Sequence, residues 1–272
     1  MFLKRTREQR LKFCSLYSGS SGNSLFVSNN NTRLLIDAGL SGKRIQSALT
    51  AIEENPAEIG AIIVTHEHSD HIHGVGVLSR RFDLPVYAND KTWAAMEKDL
   101  GKIAPHNIKN FNFKQSFVID DFEIEAFKTS HDAADSSGFV IYDGKKRIGV
   151  ATDSGMITPE MMTALSGCEL VVLESNHDVS MLEAGSYPFY LKQRIKSDFG
   201  HLSNETAGDL ALELVKKGTR SLVLAHLSQE NNYPLLAYET TARILTQAGV
   251  ALEKDVALCV AKRSCVSETI NL

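Results

Sequence analysis

Short runs of apolar residues in this chain end repeatedly in an ionisable residue. Leu34-Leu35-Ile36 leads to Asp37, Ile62-Ile63-Val64 to His66, Ile148-Gly149-Val150-Ala151 to Asp153, the run 170–173 to Glu174, and Leu222-Val223-Leu224 to His226. Apolar runs of this length, bounded by polar residues, read as buried strands. Strands that deliver ionisable groups at their carboxyl ends describe one cleft along the edge of a layered sheet structure. An opening meander is predicted over residues 12–17, 25–28 and 32–37, followed by a helix over 42–54. Ser41 is placed as its N-cap, and Ile45, Ala48, Leu49 and Ile52 form its apolar stripe. Val75, Leu78 and Phe82 then repeat at helical spacing. A second β-rich stretch covers 116–150, with helices after it over 159–165 and 204–217. Ser203 can cap the last of these, Ala207, Leu210, Ala211, Leu214 and Val215 form its buried face, and Lys216-Lys217-Gly218 end it. A β-meander followed by helices thus occurs twice, without any visible sequence repeat.

Composition narrows the class. With 272 residues, 43% apolar and 23% charged, the chain reads as one globular domain of ordinary usage. Residues 1–11 are expected to be an N-terminal extension and 12–272 the domain. No apolar stretch reaches the roughly 18 residues of a membrane span. The first ten residues are basic but lack the apolar segment of a signal peptide, and Cys14, Cys168, Cys259 and Cys265 are scattered with no Cys-x-x-Cys. The expectation is a cytoplasmic protein with reduced thiols and no membrane partner.

The densest chemistry lies in His66-Glu67-His68-Ser69-Asp70-His71. His66 and His68, two apart in an extended segment, point the same way. Asp70 and His71 fall where the chain turns into the next helix. Imidazole and carboxylate suit borderline divalent metals, and these four groups cannot all serve one tetrahedral ion that also keeps an open position. Two adjacent metals are the natural reading. The alternative, a solvated His-rich turn, does not explain a buried strand on one side and a helix start on the other.

His-x-His-x-Asp-His resembles the signature of the metallo-β-lactamase superfamily, and His131, Asp153 and His226 follow in that family's order. The resemblance implies an α/β αββα sandwich in a single domain. It also implies that His66, His68 and His131 hold one metal, that Asp70, His71 and His226 hold the other, and that Asp153 bridges them. The cofactor would be two divalent ions per chain, zinc or manganese. Ser-Gly-Ser-Ser-Gly-Asn-Ser at 18–24, Leu-Glu-Ser-Asn-His-Asp at 173–178, Gly-His-Leu-Ser-Asn at 200–204 and Ala-His-Leu-Ser-Gln-Glu-Asn-Asn at 225–232 look like the YycJ/WalJ branch. That branch is associated with DNA 5′-to-3′ exonuclease activity. His73 extends beyond the family's pattern and is read as an exposed helix residue. The large inserted domain of the processing nucleases is absent between Asp153 and His226.

Three further features bear on substrate. The loop 18–24 is either a plain hairpin or a place where backbone amides meet a phosphate and Asn23 contacts substrate. In the segment 187–196, Tyr187, Phe189 and Tyr190 lead into Lys192, Arg194 and Lys196. Rings beside cations suit single-stranded nucleic acid, whereas an amphipathic helix with its rings docked on the core is the alternative. His201, at a helix entrance, is placed to meet a phosphate or to act as a general acid. The net charge of −4 argues against a footprint over a long duplex, so the expected partner is DNA ends or single strands. Asp70 and His201 are expected to carry catalysis, Asp37 to orient a ligand from behind, and Asn23, Lys192, Arg194 and Asn232 to contact substrate. Glu174 and His177 line the same neighbourhood without an assignable role. A small-molecule hydrolase, such as a cyclic phosphodiesterase or lactonase, and a non-catalytic metal-bound protein are the rival readings.

Overall fold

All five apolar runs that end in ionisable residues form strands, and their carboxyl ends meet at one edge of the molecule. The computed structural model describes residues 11–272. Segment 1–10 of the expected extension lies outside these residues. Leu11, also assigned to the extension, is fully buried, and its carbonyl accepts the Leu272 amide.

The first half comprises β1 (Lys12–Tyr17), β2 (Ser24–Ser28), β3 (Arg33–Ile36), α1 (Gly42–Ala51), β4 (Ala61–Ile63), α2 (Ser69–Ile72), α3 (Val75–Phe82), β5 (Val86–Ala88), α4 (Asp90–Leu100) and β6 (Ile108–Asn110). The second half comprises β7 (Phe117–Ile119), β8 (Phe122–Lys128), β9 (Ser137–Asp143), β10 (Lys146–Ala151), α5 (Pro159–Leu165), β11 (Leu170–Glu174), α6 (Val179–Ala184), α7 (Phe189–Ile195), α8 (Asn204–Lys216), β12 (Ser221–Ala225), α9 (Pro234–Gln247), β13 (Ala257–Val260) and β14 (Ile270–Asn271). Two seven-stranded sheets result, ordered β14-β1-β2-β3-β4-β5-β6 and β13-β12-β11-β10-β9-β8-β7. Each begins as an antiparallel meander and turns parallel at one strand: β3 lies antiparallel to β2 and parallel to β4, and β10 lies antiparallel to β9 and parallel to β11. The carboxyl ends of such switch strands are where open α/β sheets place their sites.

Strand alternation builds the layers. Leu34, Ile36 and Ile63 face inward, and with Ile148, Val150, Leu170 and Val172 they fill the space between the sheets. Leu35 and Ile62 face outward under Ile45, Leu49, Val75, Leu78 and Met96 of the first helical layer. Val171, Leu173, Leu222 and Leu224 face outward under Leu210, Leu214 and Leu245 of the second. The order is helix, sheet, sheet, helix, in a single domain, as the resemblance implied.

Two helices differ from their sequence outlines. The helix α1 is capped by Ser41 as expected, but it ends at Ala51 because Glu53 adopts a left-handed backbone with φ 62°. The segment after His68 is two helices, broken at Gly74, whose amide donates to the Ala38 carbonyl. A Cβ on Gly74 would lie 2.2 Å from the Leu40 carbonyl oxygen, so only glycine permits this close crossing.

Candidate metal centre and active site

Ligand-type side chains arrive from both halves. The turn after β4 supplies His66 and His68, and α2 supplies Asp70 and His71; the loops after β8, β10 and β12 supply His131, Asp153 and His226. Donor atoms of His66, His68 and His131 all lie within 4.8 Å of one another, as do those of Asp70, His71 and His226. Asp153 spans the two groups. Its Oδ2 is 3.4 Å from His71 Nε2, and its Oδ1 is 3.4 Å from His226 Nε2 and 3.8 Å from His131 Nε2. The seven residues expected from the sequence are thus brought together, and two further groups overlap them: His66, His71 and Asp153, and Asp153 and His226 with Glu174 and His201. Asp37, Asp153 and His226 sit in the left-handed region with φ of 60°, 59° and 55°. Non-glycine residues adopt it at some cost, and such strain collects at functional sites.

Each of four imidazoles has its Nδ1 engaged from behind, which directs Nε2 to the centre, although His71 Nε2 also lies 3.1 Å from Asn23 Nδ2. His71 Nδ1 lies 2.7 Å from Asp37 Oδ2, His226 Nδ1 2.9 Å from Glu174 Oε1, His131 Nδ1 3.1 Å from the Gly200 carbonyl, and His66 Nδ1 3.0 Å from Thr65 Oγ1. Such outer partners fix the tautomer and orientation of metal-binding histidines. Asp37, expected from the sequence to orient a ligand, is held in turn by the Thr65 amide and hydroxyl, both at 2.8 Å.

Charge in the cluster is unevenly spread. Burial and the neighbouring imidazoles hold His66 well below the usual histidine range. For His71, burial is outweighed by Asp153, Asp37 and Asp70, which lift it to about 9. Burial also opposes the charged form of His226, yet Asp153, Asp70 and Glu174 raise it well above the ordinary value. Asp70 resists the upward push of burial and is held low by His71 and His226. A divalent cation answers the same carboxylate field and displaces the imidazole protons.

The cluster fits metal on its own terms. His66 Nε2, His226 Nε2 and Asp153 Oδ2 are buried without a hydrogen-bond partner among the described residues. The 3.4 to 3.8 Å contacts around Asp153 are too long to be hydrogen bonds and leave these donors aimed at common points. Buried polar atoms left unpaired in this way are costly unless something binds them.

His201 lies at the rim. Its Nδ1 is 2.7 Å from Glu174 Oε1, and its ring centroid is 5.0 Å from that of His131 and 5.3 Å from that of His226. The sequence placed it at the head of α8, but there Ser203 accepts the Thr206 amide, and His201 is oriented by Glu174 instead. Fully buried Glu174 also accepts the Ser154 and Leu202 amides. Burial opposes its charge, yet His201 and His226 keep its carboxyl well below the usual range. The role that sequence reasoning left open for Glu174 is therefore to hold two imidazoles from one oxygen. His177 is 2% exposed, and its Nδ1 has no hydrogen-bond partner among the described residues.

Four expected substrate contacts have other partners. Asn23 is buried; its Nδ2 lies 3.3 Å from Asp70 Oδ2 and 3.1 Å from His71 Nε2, so it steadies the ligand turn. Asn232 is consumed internally, donating to the Ser175 and Asn176 carbonyls and to Asn204. Lys192 donates to the Glu183 and Gly185 carbonyls, and Arg194 pairs with Asp132. Lys196 pairs with Glu183. Two of the three rings on this segment do not dock on the core: Phe189 and Tyr190 are 76% and 74% exposed, while Tyr187 is half-buried. Sequence reasoning missed Phe199, which is 61% exposed two residues before His201, with its carbonyl taking the Asp132 amide.

Residues 32–227 match the family model described as a β-lactamase superfamily domain. The exodeoxyribonuclease WalJ of Streptococcus pneumoniae is 42% identical over 246 residues, covering 90% of this chain and 91% of that protein. The exodeoxyribonuclease YycJ of Bacillus anthracis is 42% identical over 239 residues, covering 88% and 90%. Among solved structures, zinc-bound PqqB of Methylobacterium extorquens superposes with a TM-score of 0.71 at 17% identity, over 94% of this chain and 99% of that one. The metallo-β-lactamase fold protein YhfI of Bacillus subtilis superposes with a TM-score of 0.70 at 20% identity, over 95% and 99%. Those two likenesses bear on fold, and the two exodeoxyribonucleases bear on kinship. The chain belongs to the β-lactamase superfamily, in the branch that contains WalJ and YycJ.

Proposed function

We propose that this protein is a metal-dependent exodeoxyribonuclease that releases nucleotides from the 5′ end of DNA. The observation that carries the reading is the His201–Glu174 pair beside a complete set of seven ligand-type residues. The pair supplies an imidazole steered by a buried carboxylate at the rim of the cluster.

His66, His68 and His131 would hold one divalent ion and Asp70, His71 and His226 the second, with Asp153 shared. Zinc or manganese bound there supplies Lewis acidity and lowers the pKa of water toward neutrality. The remaining work falls to the chain. Asp37, Thr65, Glu174 and the Gly200 carbonyl hold the imidazoles in place, so little reorganisation is needed when substrate binds. With Nδ1 taken by Glu174, His201 presents Nε2 to the cleft, where it holds a phosphate oxygen or hands its proton to the leaving oxygen. A placed acid of this kind contributes roughly 10²–10⁴ in rate. Phe199, exposed on the same short segment, offers a ring face for an unstacked base, a contact worth about 1–3 kcal/mol per base.

Digestion of end-labelled DNA tests the reading. Manganese- or zinc-loaded protein should shorten single strands from the 5′ end and stop on chelation. Hydrolysis of a nitrophenyl phosphodiester with intact DNA of both labels would assign it to small phosphodiesters instead.

A further inference from the structure

A second cavity opens beside the metal cluster, and its chemistry is that of a phosphate site. It measures about 370 Å³ and is lined by Ser20, Ser21, Ser41, Ser69, Arg44 and His73, with Asp70 as the one acid in the lining. Asp70 turns its Oδ2 toward His71 and His226, at 3.6 and 3.7 Å, so that carboxylate belongs to the cluster. The serines are exposed, and their hydroxyls suit phosphate oxygens.

Charge placement argues the same way. Helix α1 starts at this cavity, with no acidic residue in its first turn and with Lys43 and Arg44 there instead. Cations at a helix N-terminus oppose the macrodipole. An anion between them and the helix end reverses that sign. The Arg44 guanidinium lines the cavity and is steadied 4.9 Å over the Tyr17 ring. The cations of α7 that the sequence singled out are, by contrast, tied to Asp132, Glu183 and backbone carbonyls.

The cavity is rigidly indexed to the metal ligands. The Ser18 hydroxyl accepts the His226 amide at 2.7 Å, the Asn23 amide donates to the Asp70 carbonyl at 2.8 Å, and the Gly39 amide donates to the Asn23 carbonyl at 2.8 Å. A Cβ on Gly39 would meet the Asp70 carbonyl at 1.6 Å, so the serine loop, the start of α1 and the ligand turn are locked at backbone contact. A group bound by Ser20, Ser21 and Arg44 is therefore held at a fixed offset from the reacting phosphate.

We propose that this cavity is a phosphate subsite that takes the backbone phosphate next to the scissile one on the DNA strand. The proposal rests on the exonuclease reading and adds the anchor that sets the register of cleavage. Steady-state kinetics should compare wild type and Arg44→Ala, both metal-loaded, on short single strands that carry one uncharged methylphosphonate immediately before or after the scissile position. With unmodified DNA, Arg44→Ala should raise KM roughly tenfold, as loss of a charge-assisted phosphate contact does. Hydrolysis of bis(p-nitrophenyl) phosphate, which has no flanking phosphate, should change less than about twofold by the same reasoning. One of the two methylphosphonates should weaken wild type by a similar factor and leave Arg44→Ala unaffected, and Arg44→Lys should recover part of the loss. Unchanged KM in Arg44→Ala, or equal methylphosphonate penalties in both proteins, would overturn the subsite while leaving the nuclease intact. Failure of wild type to cut any oligonucleotide would overturn the exonuclease reading, and this assignment with it.

Discussion

Glu174 Oε1 joins His201 to the metal cluster: it lies 2.7 Å from His201 Nδ1 and 2.9 Å from His226 Nδ1. One buried oxygen thus orients both a ligand and the rim imidazole. Their roles can be separated by substitution. His201→Ala should retain the metal content of wild type while lowering kcat on DNA at least about tenfold, and the loss should shrink on nitrophenyl phosphodiesters, whose leaving group needs no proton. Glu174→Gln should also weaken metal retention, by roughly 10–100-fold for a lost outer partner. Elemental analysis beside both assays checks this, and equal metal loss in the two variants would merge the roles.

Removal of a ligand should be more severe. His68→Ala and Asp70→Ala are expected to abolish hydrolysis with the circular dichroism of the fold preserved, because both residues sit at the half-buried mouth of the cluster and carry no core packing. Full activity in either variant would remove that residue from the centre.

The arm that carries α7 gives a contrast between rings and cations. Phe199→Ala should lower the affinity for single-stranded DNA by about fivefold or more, the low end for a lost stacking platform. Joint replacement of Arg194 and Lys196 by alanine should leave the salt slope of binding nearly unchanged, because each already has an internal carboxylate partner. Fluorescence anisotropy across a salt series reads both, and a slope reduced by about two would put those cations on the DNA backbone.

Burial lifts the Cys168 thiol to about 12, against an ordinary value of 9.0. In the unfolded chain the thiol ionises from about pH 9, while in the native state it stays neutral. Its contribution to stability is complete below the unfolded value and is lost as pH rises from about 9 toward 12. Cys168→Ala should therefore be less stable than wild type near neutrality, yet lose stability less steeply above pH 9, by up to about 1.4 kcal/mol per pH unit. Urea denaturation at stepped alkaline pH measures the two slopes, and parallel slopes would refute the assignment.

The metal ligands were legible because each follows a buried run, and strand ends converge in α/β folds whatever the loops do. Asp37 was legible for the same reason. The outlines of α1 and α8 were marked by Ser41 and Ser203. Strands β5 and β6 have three residues each, too short for a period to register, and the segments around them went unassigned. The internal partners of Asn23, Asn232 and Lys192 were not legible because a polar side chain looks the same in sequence whether it meets substrate or its own backbone. Only the folded partners decide, here Asp70, the Ser175 carbonyl and the Glu183 carbonyl. Phe199 was passed over because nothing in its local sequence tells an exposed ring from a buried one.

The ligand set divides between the two halves, with His66, His68, Asp70 and His71 on one side and His131, Asp153 and His226 on the other. Each of the two sets draws residues from both halves, His131 joining His66 and His68 and His226 joining Asp70 and His71, so metal affinity at those two sets depends on the docked pair of sheets. Mass action then makes the ion a cross-link that acts only on the native state. Thermal resistance will follow free metal concentration. A chain whose halves have begun to part would release metal held there, and lose catalysis with it, before its helices and strands unfold.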